Sequence, residues 1–576
     1  MTRAYRSSAA FGKKRVVGTA ICVLALTAAQ NQANPFPGDN SPLAKISVPD
    51  VARRYDNPGS DFADKTAPLD RHPIRLISVD TANQLQKGEV NLGVGWHQND
   101  PGSAAGTGNQ IYDWHADWGW TDQIQLGFTF QSYNDPFHKP INGTTSRLKF
   151  QTVGGAAKYK LWENRQLGFA VQGSVEYLTW ESPLWGSDVA NAQHVIGSLQ
   201  APITYRFSPQ FELHLTPGVS FFPDDINGFD FFGTVGYVGA GASWRPTERL
   251  TAYGVVNVPV AGNNTISNTQ TLESMPVWTV GGRYNVTPKV ALDLYATNGL
   301  GNSPATGILS NPPDGETVLY GIQLNWTPGN DPGYRSTYRT AGRKPETARS
   351  RSLQQDGFTL GTGRTLSPGT IMGVASYGAN DGWTAAAHLS PDQDFEFGGL
   401  IEQFATDGSV GAPLVANIND PRFLYFAKLR FLDQDAGDPV SLSARVSAGR
   451  DLASGPNTGT LSLSVPISYD FNDRLTLNVN PRASAQGNSQ TYGLGLGVNY
   501  EVIPGLEAIA EVTPVVDGNG TVWAAGARYN LPNSDFSVDL HATNAIGRYG
   551  QGTLIAQDDT RYVLGASLKL DLSNWR

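Results

Sequence analysis

Apolar and polar residues alternate along most of the chain from residue 89 onward. In "EVNLGVGW" (89–96) every second residue is apolar, and "IYDWHADWGW" (111–120) and "QIQLGFTF" (123–130) repeat this pattern. Alternation with a period of two is typical of β-strands that present one apolar and one polar face. The pattern continues to "ASLKLDL" (566–572), so the sequence predicts an all-β protein built from many strands.

The strand pattern occurs twice. "VALDLYATNGLG" (290–301) corresponds to "FSVDLHATNAIG" (536–547), and "APITYRF" (201–207) corresponds to "VPISYDF" (465–471). The corresponding stretches follow in the same order in both halves, and their spacing far exceeds the period of a solenoid repeat. We therefore expect the duplication of a whole unit of about a dozen strands.

Connections of two lengths alternate between the predicted strands. "RFSPQF" (206–211) and "NVTPKV" (285–290) are short turns, whereas "NGLGNSPATGILSNPPDGET" (298–317) is a long loop. Outer-membrane barrels combine short periplasmic turns with long external loops in an antiparallel up-and-down meander. The connections therefore favour such a barrel over a sandwich or a propeller.

Aromatic residues lie at the ends of the predicted strands, where Tyr and Trp of membrane proteins meet the lipid interface. They are Tyr205, Phe207, Trp326 and Tyr469 beside short turns, and Trp180, Phe221 and Phe222 beside long loops. The strands run for about ten residues, enough to cross a bilayer when tilted. We predict a transmembrane antiparallel up-and-down β-barrel from two homologous halves of about twelve strands each. A secreted soluble β-protein is the alternative.

Two stretches carry a family resemblance: "HPIRLISVDTANQLQKGEVNLGVG" (72–95) and "DLYATNGLGNSPATGILS" (293–310). On these stretches the chain resembles porin-like and transporter-like outer-membrane β-barrels of Gram-negative type, and it looks similar to duplicated barrels of cyanobacterial type. The resemblance covers roughly residues 72–576. It implies an outer-membrane location and insertion by the barrel-assembly machinery. Such barrels end on an aromatic residue, whereas this chain ends on Trp575 and Arg576.

The linker between the halves leaves the number of barrels open. Residues 329–357 are polar and basic, which indicates a disordered or loosely packed linker, either solvated or in contact with acidic polymer or lipid headgroups. Either each half closes as its own barrel of about twelve strands, or all strands close into one barrel of about twenty-four. A single barrel is slightly favoured because it inserts only once. Residues 35–86 are long enough to plug its wider lumen.

The N-terminus indicates an exported protein. Residues 1–29 combine a basic region, an apolar run and small residues, as in a signal peptide. The only cysteine, Cys22, lies in the apolar run, so neither a disulfide nor a thiolate is expected in the mature chain. The net charge of −9 argues against nucleic acid as a partner. The predicted order is a signal peptide (1–29), a periplasmic segment or plug (30–87), a first barrel repeat (88–328), the linker (329–357) and a second barrel repeat (358–576).

Charged residues on the polar faces point inward if the apolar faces meet lipid. The fourth strand of each half carries two inward cations, and the tenth and eleventh strands place an arginine about opposite an aspartate. Such pairs hold the wall together, or they create a transverse field that orients polar solutes and tunes ion preference. The predicted lumen cations are Lys158, Lys160, Lys428, Arg430 and Arg445, and the predicted charge pairs are Arg283 with Asp293 and Arg528 with Asp539.

A cluster of His97, Asp113, His115 and Asp117 also points inward, on neighbouring predicted strands. Its spacing is compatible with a divalent metal, although such residues more often only line a wet lumen. We expect no cofactor, and we expect no enzyme activity because the sequence has no G-x-S-x-G elbow on a strand-to-helix turn.

The favoured function is an outer-membrane channel for passive or facilitated passage of small hydrophilic solutes or ions. The expected partners are outer-membrane lipid, these solutes and the barrel-assembly machinery, with the oligomeric state left open. A plugged structural or interaction barrel is the alternative.

Overall fold

A computed structural model describes residues 66–99, 110–186, 193–328, 334, 337–338, 342–411, 414–454, 458–487, 489–532 and 534–572. The predicted signal peptide at 1–29, Cys22, Trp575 and Arg576 lie outside these residues. Strands dominate the described chain, and its helix α1 (Ala348–Ser352) is short.

The first barrel is an antiparallel sheet of twelve strands that follow one another around a ring. They are β1 (Val90–Asn99), β2 (Gln110–Gly119), β3 (Ile124–Pro136), β4 (Arg147–Glu163), β5 (Leu167–Glu181), β6 (Gln193–Gln200 and Ile203–Ser208), β7 (Phe211–Phe221), β8 (Thr234–Trp244), β9 (Leu250–Ala261), β10 (Val277–Thr287), β11 (Val290–Thr297) and β12 (Leu319–Trp326). β6 is interrupted at Pro202, because proline has no N–H for the ladder. Both of its pieces pair with β5 and β7.

The second barrel repeats this arrangement, again with an interrupted sixth strand. Its strands are β13 (Thr370–Gly378), β14 (Trp383–Asp392), β15 (Phe395–Gln403), β16 (Arg422–Leu432), β17 (Ser441–Asp451), β18 (Gly459–Ser464 and Ile467–Asp470), β19 (Leu475–Gln486), β20 (Ser489–Ile503), β21 (Leu506–Val516), β22 (Thr521–Asn530), β23 (Phe536–Ala545) and β24 (Ala556–Asp571).

Each sheet closes on itself. β1 pairs with β12, with Trp96 opposite Ile322, and β13 pairs with β24, with Ala375 opposite Ala566. Of the two arrangements that the sequence leaves open, the structure has the two tandem rings, and the slightly favoured single ring is not the one formed. Alternation identifies strands without saying which strand edges meet, and a ring of twelve already pairs every edge.

The outward faces carry the apolar residues of the alternating pattern. In β20, Leu494, Leu496 and Val498 are exposed, while Thr491 and Asn499 are buried on the opposite face. An exposed apolar surface of this extent suits lipid better than water. Exposed aromatic residues lie at both ends of the barrels: Trp118, Trp120, Tyr159, Trp162, Tyr205, Phe207, Trp244, Tyr469, Phe471, Tyr500 and Tyr529 towards the short turns, and Tyr177, Phe221, Tyr320, Tyr377, Trp383, Tyr492 and Tyr562 towards the loops. Among the described residues, no helix has the length and apolarity to cross a membrane.

The long loops of the first barrel pack into an apolar cap at the loop end. At its centre, the ring of Trp180 meets Phe231 at 5.2 Å and Trp185 at 5.5 Å between centroids, edge to face. Phe222 contacts Phe232 at 5.8 Å. Trp180 and Phe222, which the sequence assigns to the lipid interface, are only 1% and 7% exposed in this cap. A strand-end aromatic gives the same sequence signal whether it meets lipid or a folded loop.

The two barrels contact each other through their outward faces and point the same way. Val290, at the start of β11, is buried in an apolar cluster that spans both barrels. At the short-turn end Lys289 pairs with Asp392 at 3.7 Å. At the loop end Arg450 pairs with Asp135 at 3.3 Å. Contacts at both ends require the short turns of the two barrels to lie on one side.

The two-ring closure predicts which introduced cysteines form a disulfide. Ala375 and Ala566 are register partners on the outward face, within the reach of a disulfide. Ala375→Cys combined with Ala566→Cys should therefore crosslink under mild oxidation. In a single ring β24 would lie beside β1 instead, and Val94→Cys combined with Ala566→Cys would crosslink. Mass spectrometry of the digested protein distinguishes the two, and crosslinking of the second pair alone would contradict two rings.

Candidate functional site

The first lumen is filled by residues 66–88, called here the first plug, which enter from the short-turn end and fold back. Near the entry, the carbonyl of Leu69 accepts a hydrogen bond from Asn285 Nδ2 at 2.6 Å, and the Leu85 N–H donates to Gln125 Oε1 at 3.0 Å. At the tip, the carbonyl of Ser78 accepts from Asn257 Nδ2 at 3.1 Å. The plug thus touches walls on different sides of the ring.

Asp80 is the centre of a charged hub between the first plug and the wall. Its carboxylate lies 3.1 Å from Arg75 Nε and 3.6 Å from Lys158 Nζ, and it accepts from Gln172 Nε2 at 2.8 Å. Lys158 also donates to the plug carbonyl of Ile74 at 3.1 Å. Burial opposes ionisation, but the two cations outweigh it and lower the pKa of the Asp80 carboxyl.

The connection between β11 and β12, residues 298–318, folds into the first lumen from the opposite end and is called the first inner loop. Its Ala305 N–H donates to Glu176 Oε1 on β5 at 2.8 Å. Asn257 Nδ2 donates both to Ser78 of the plug at 3.1 Å and to the Gly307 carbonyl at 3.2 Å. The plug and the inner loop therefore meet inside the barrel and are joined by one wall residue.

The second lumen has a plug of its own, residues 352–366, with Asp356 at its centre. The Asp356 carboxylate lies 2.7 Å from Arg445 Nη1 and 3.4 Å from Lys428 Nζ, and its carbonyl accepts from Arg528 Nη2 at 2.9 Å. Burial alone would raise the pKa of this carboxyl, but Lys428 and Arg445 hold it well below its usual range. Residues 352–357 of this plug belong to the linker that the sequence predicts at 329–357, and residues 358–366 belong to the predicted second repeat.

Glu511 of β21 receives the backbone of the second plug. The N–H groups of Phe358, Thr359 and Leu360 donate to its carboxylate at 3.0, 2.6 and 3.2 Å. The Phe358 ring also stacks on His541 with 4.1 Å between centroids. Successive N–H groups aimed at one carboxylate form an anion-binding nest, so the wall carboxylate fixes the turn of the plug.

The second inner loop, residues 546–555 between β23 and β24, also folds inward. Its Arg548 pairs with Asp539 on the wall at 3.3 Å. Arg482 Nη1 of β19 donates to the plug carbonyl of Thr359 at 2.5 Å and to Thr553 Oγ1 of the inner loop at 2.9 Å. In the second lumen too, one wall side chain joins the plug to the inner loop.

The strand register brings both predicted charge pairs together. Arg283 lies opposite Asp293 and binds its two oxygens at 3.1, 3.1 and 2.8 Å. Arg528 lies opposite Asp539, but the closest approach is 3.9 Å because Asp539 is shared with Arg548. The first pair is thus a direct cross-strand contact and the second is part of a wider network. Their effect on ion preference stays a prediction.

The four residues of the predicted His and Asp cluster line the first lumen without converging. His97 Nδ1 lies 3.8 Å from Asp113 Oδ1. His115 Nε2 lies 3.3 Å from the Asn91 amide, and Asp117 accepts from Gln125 at 3.3 Å. Within the part of the chain that the structure describes, no group of three or more such side chains is placed to hold a metal. The cluster therefore contributes to the polar lining.

The remaining predicted cations divide between the short-turn rim and the plugs. Lys160 pairs with Glu163 at 2.7 Å and Arg430 pairs with Asp394 at 2.6 Å, both at short turns. Lys158, Lys428 and Arg445 bind the plugs, as described above.

Sequence reasoning missed the plug residues Asp80 and Asp356, because neither lies in an alternating strand. One sequence feature could have indicated that both halves have a plug: the similar stretches "TANQL" (81–85) and "TGRTL" (362–366) lie at nearly the same distance before the first strand of each half.

The walls of the two barrels carry buried charge of opposite sign; Asp135, counted in the first, pairs with Arg450 of the second barrel. Among the buried charged residues on barrel strands, the first barrel has six acids and two bases, and the second has six acids and eight bases. The formal charges are therefore −4 and +2. In the first barrel these residues are Asp113, Asp117, Asp135, Glu176, Glu212, Asp293, Lys158 and Arg283; in the second they are Glu396, Glu402, Asp451, Glu507, Glu511, Asp539, Arg422, Lys428, Arg430, Arg445, Arg482, Arg528, Arg561 and Lys569.

No protein-family model and no curated protein matches the chain. Similar solved structures include outer-membrane porins and channels. KdgM porin in complex with disordered oligogalacturonate is 11% identical over 34% of this chain and 98% of its own, with a TM-score of 0.25. An outer membrane channel from Pseudomonas putida F1 is 13% identical over 43% and 99%, with a TM-score of 0.29. The siderophore receptor PirA from Pseudomonas aeruginosa is 8% identical over 85% and 82%, with a TM-score of 0.21. The barrel architecture of this chain rests on its own strand pairing.

Removing the Asp356 carboxylate tests the second hub. Asp356→Asn leaves Lys428 and Arg445 buried without their shared anion, which should lower the free energy of unfolding by about 3–5 kcal/mol. Urea unfolding of the detergent-solubilised protein measures this loss. The matched control is Asp314→Asn. Asp314 lies 3.9 Å from Lys139 Nζ, and the Lys139 side chain is 45% exposed. The loss of this ion pair should lower the free energy of unfolding by only about 0–1 kcal/mol. Equal losses in the two variants would contradict the hub.

His72 makes the stability of the first plug depend on pH. Burial, with Arg245 nearby, lowers the pKa of His72 from 6.5 to about 3. Below pH 6.5 the unfolded state takes up the proton first, so the free energy of unfolding falls as the pH drops towards 3, by roughly 3 kcal/mol at pH 4. His72→Gln should remove this part of the pH dependence in unfolding measurements between about pH 7 and 4. An unchanged slope would show that His72 is not buried as a neutral ring.

Proposed function

We propose that the chain is an outer-membrane protein with two plugged conduits for small hydrophilic solutes or ions. The observation that carries this proposal is the reversal of polarity across each wall: apolar residues face outward, and mostly polar residues face inward, where hydrogen bonds and ion pairs hold the plug beside smaller apolar clusters. Hydrogen bonds between a wall and a plug can be exchanged for hydrogen bonds to water at a small net cost.

Passage through either barrel then requires displacement of its plug and of its inner loop. Both plugs precede the first strand of their barrel and lie at the short-turn end, so each can withdraw without breaking the ring. Once hydrated, the first lumen with its excess of acids favours cations, and the second with its excess of bases favours anions. Size and lumen charge then select the solute, without a cofactor.

A structural or interaction barrel is the second candidate, and the apolar cap over the first barrel favours it. The cap buries Trp180, Trp185 and Phe231, and such packing resists hydration. The third candidate, a secreted soluble protein, is disfavoured by the outward apolar surface. The finer resemblance to barrels of cyanobacterial type stays a prediction.

Conductance in planar bilayers separates the channel from the structural barrel. Replacing residues 74–84 of the plug and 300–316 of the inner loop by Gly–Ser repeats of equal length should open the first lumen and give discrete steps with cation preference. The same replacement of 354–364 and of 548–554 should open the second lumen and give anion preference, since the wall charges differ in sign. Reversal potentials in a KCl gradient of about tenfold measure the preference. Asp314→Asn is the control that leaves both plugs in place.

If both replaced proteins insert as barrels and stay electrically silent, the channel is excluded and the structural role is favoured. Steps of the same ion preference in both would contradict the assignment of the two lumens.

A further inference from the structure

A small cavity lies in the second lumen, where the plug, the wall and the inner loop meet. Its volume is about 40 Å³, room for about three water molecules or one small oxyanion at 10–15 Å³ per water. Arg445, Arg482 and Arg548 line it together with Ser447, Ser462 and one acidic residue, Asp356, so the three cations outnumber the one carboxylate. The cavity therefore presents hydrogen-bond donors and positive charge.

The three arginines are deeply buried and have unused donors. Their exposed fractions are 6% for Arg445, 9% for Arg482 and 9% for Arg548. Arg445 Nη2, Arg482 Nε, and Arg548 Nε and Nη1 have no hydrogen-bond partner among the described residues. Buried donors are nearly always satisfied in proteins. Unused guanidinium donors beside a cavity therefore indicate an acceptor in that cavity.

Arg482 also lacks a counter-ion among its described partners. Arg445 is paired with Asp356 and Arg548 with Asp539, whereas Arg482 donates to neutral oxygens only: the carbonyl of Thr359, and the hydroxyls of Thr553 and Thr513. The nearby Glu511 carboxylate is taken up by the plug N–H groups. A buried cation without an anionic partner is costly, and a bound anion would compensate it.

We propose that this cavity binds one small inorganic oxyanion of the phosphate or sulfate type, with Arg482 as its main ligand. The guanidinium fork matches the oxygens of such an anion, and Arg445 and Arg548 offer further N–H groups. The site belongs to the second half alone, because "NPRA" (480–483) corresponds to "TPGV" (216–219) and places Gly218 at the position of Arg482.

The bound anion stabilises the plugged form of the second barrel. Arg482 already joins Thr359 of the plug to Thr553 of the inner loop, so an anion that fixes its side chain fixes both. This inference goes beyond conduction, because binding is measured at equilibrium in the closed protein, and its failure would leave the channel proposal untouched.

Thermal unfolding of the full-length protein in detergent tests the site with inorganic phosphate and, separately, sulfate, at constant ionic strength in a chloride background. The wild-type Tm should rise with phosphate in a saturable way, because the anion binds the folded state. In Arg482→Gln the phosphate concentration that gives half of the maximal rise in Tm should increase at least about 10-fold. Its Tm in anion-free buffer should equal or exceed that of the wild type, because an uncompensated buried charge is gone.

Two further variants keep the test decisive. Lys569→Gln removes a buried cation of the same lumen that lies outside the cavity lining, and its phosphate response should match the wild type. Arg482→Lys keeps the positive charge but loses the planar guanidinium group, so its affinity for phosphate should lie between those of the wild type and Arg482→Gln. If Arg482→Gln does not fold, Arg482→Lys takes its place in the test. A wild type without a saturable response to either anion, or an unchanged midpoint in Arg482→Gln, would overturn the site.

Discussion

Ring closure is the constraint on which the rest of this structure depends. A strand edge in lipid has no water to satisfy its N–H and C=O groups, so the sheet must pair its first strand with its last. Closure of each half at twelve strands then creates an interior. Barrels of about eight strands are filled by their own side chains, whereas a ring of twelve is wider and needs additional chain. The plug and the inner loop of each barrel supply that filling.

The alternation of apolar and polar residues along the strands determines the chemistry of the chain segments that fill each lumen. Because the outward residues are apolar, the inward ones are polar, and a plug must match them with hydrogen bonds and charge. Arg75 stands ten residues before Leu85, and Asp356 stands ten residues before Leu366. The first wall is acidic around a plug arginine, and the second is basic around a plug aspartate. What the two halves share is thus complementarity between plug and wall. In both, a plug aspartate (Asp80 or Asp356) lies beside a lysine of the fourth strand (Lys158 or Lys428), although the net charge of the wall differs in sign.

The sequence predicts features that depend on neighbouring residues in one strand or hairpin. Alternation locates the strands, and the short turn between β10 and β11 fixes the register that sets Arg283 opposite Asp293. Closure depends on strands hundreds of residues apart, such as β13 and β24, and local patterning carries no information about them. Trp180 shows the same limit, because whether lipid or a folded loop covers a strand end is decided by the loop.

The second plug shows why composition misleads inside a polar lumen. Residues 352–357 are predicted as part of a loose linker because they are polar, and residues 358–366 as part of the second repeat, yet Ser352, Gln354 and Thr359 are buried inside the barrel. The usual association of polarity with exposure assumes an apolar interior, and here the interior is the polar side of the wall. A buried segment held by polar contacts also differs physically from a core. Water or a small anion can take over its hydrogen bonds, so the contacts that fill the lumen are also the contacts through which it can be emptied.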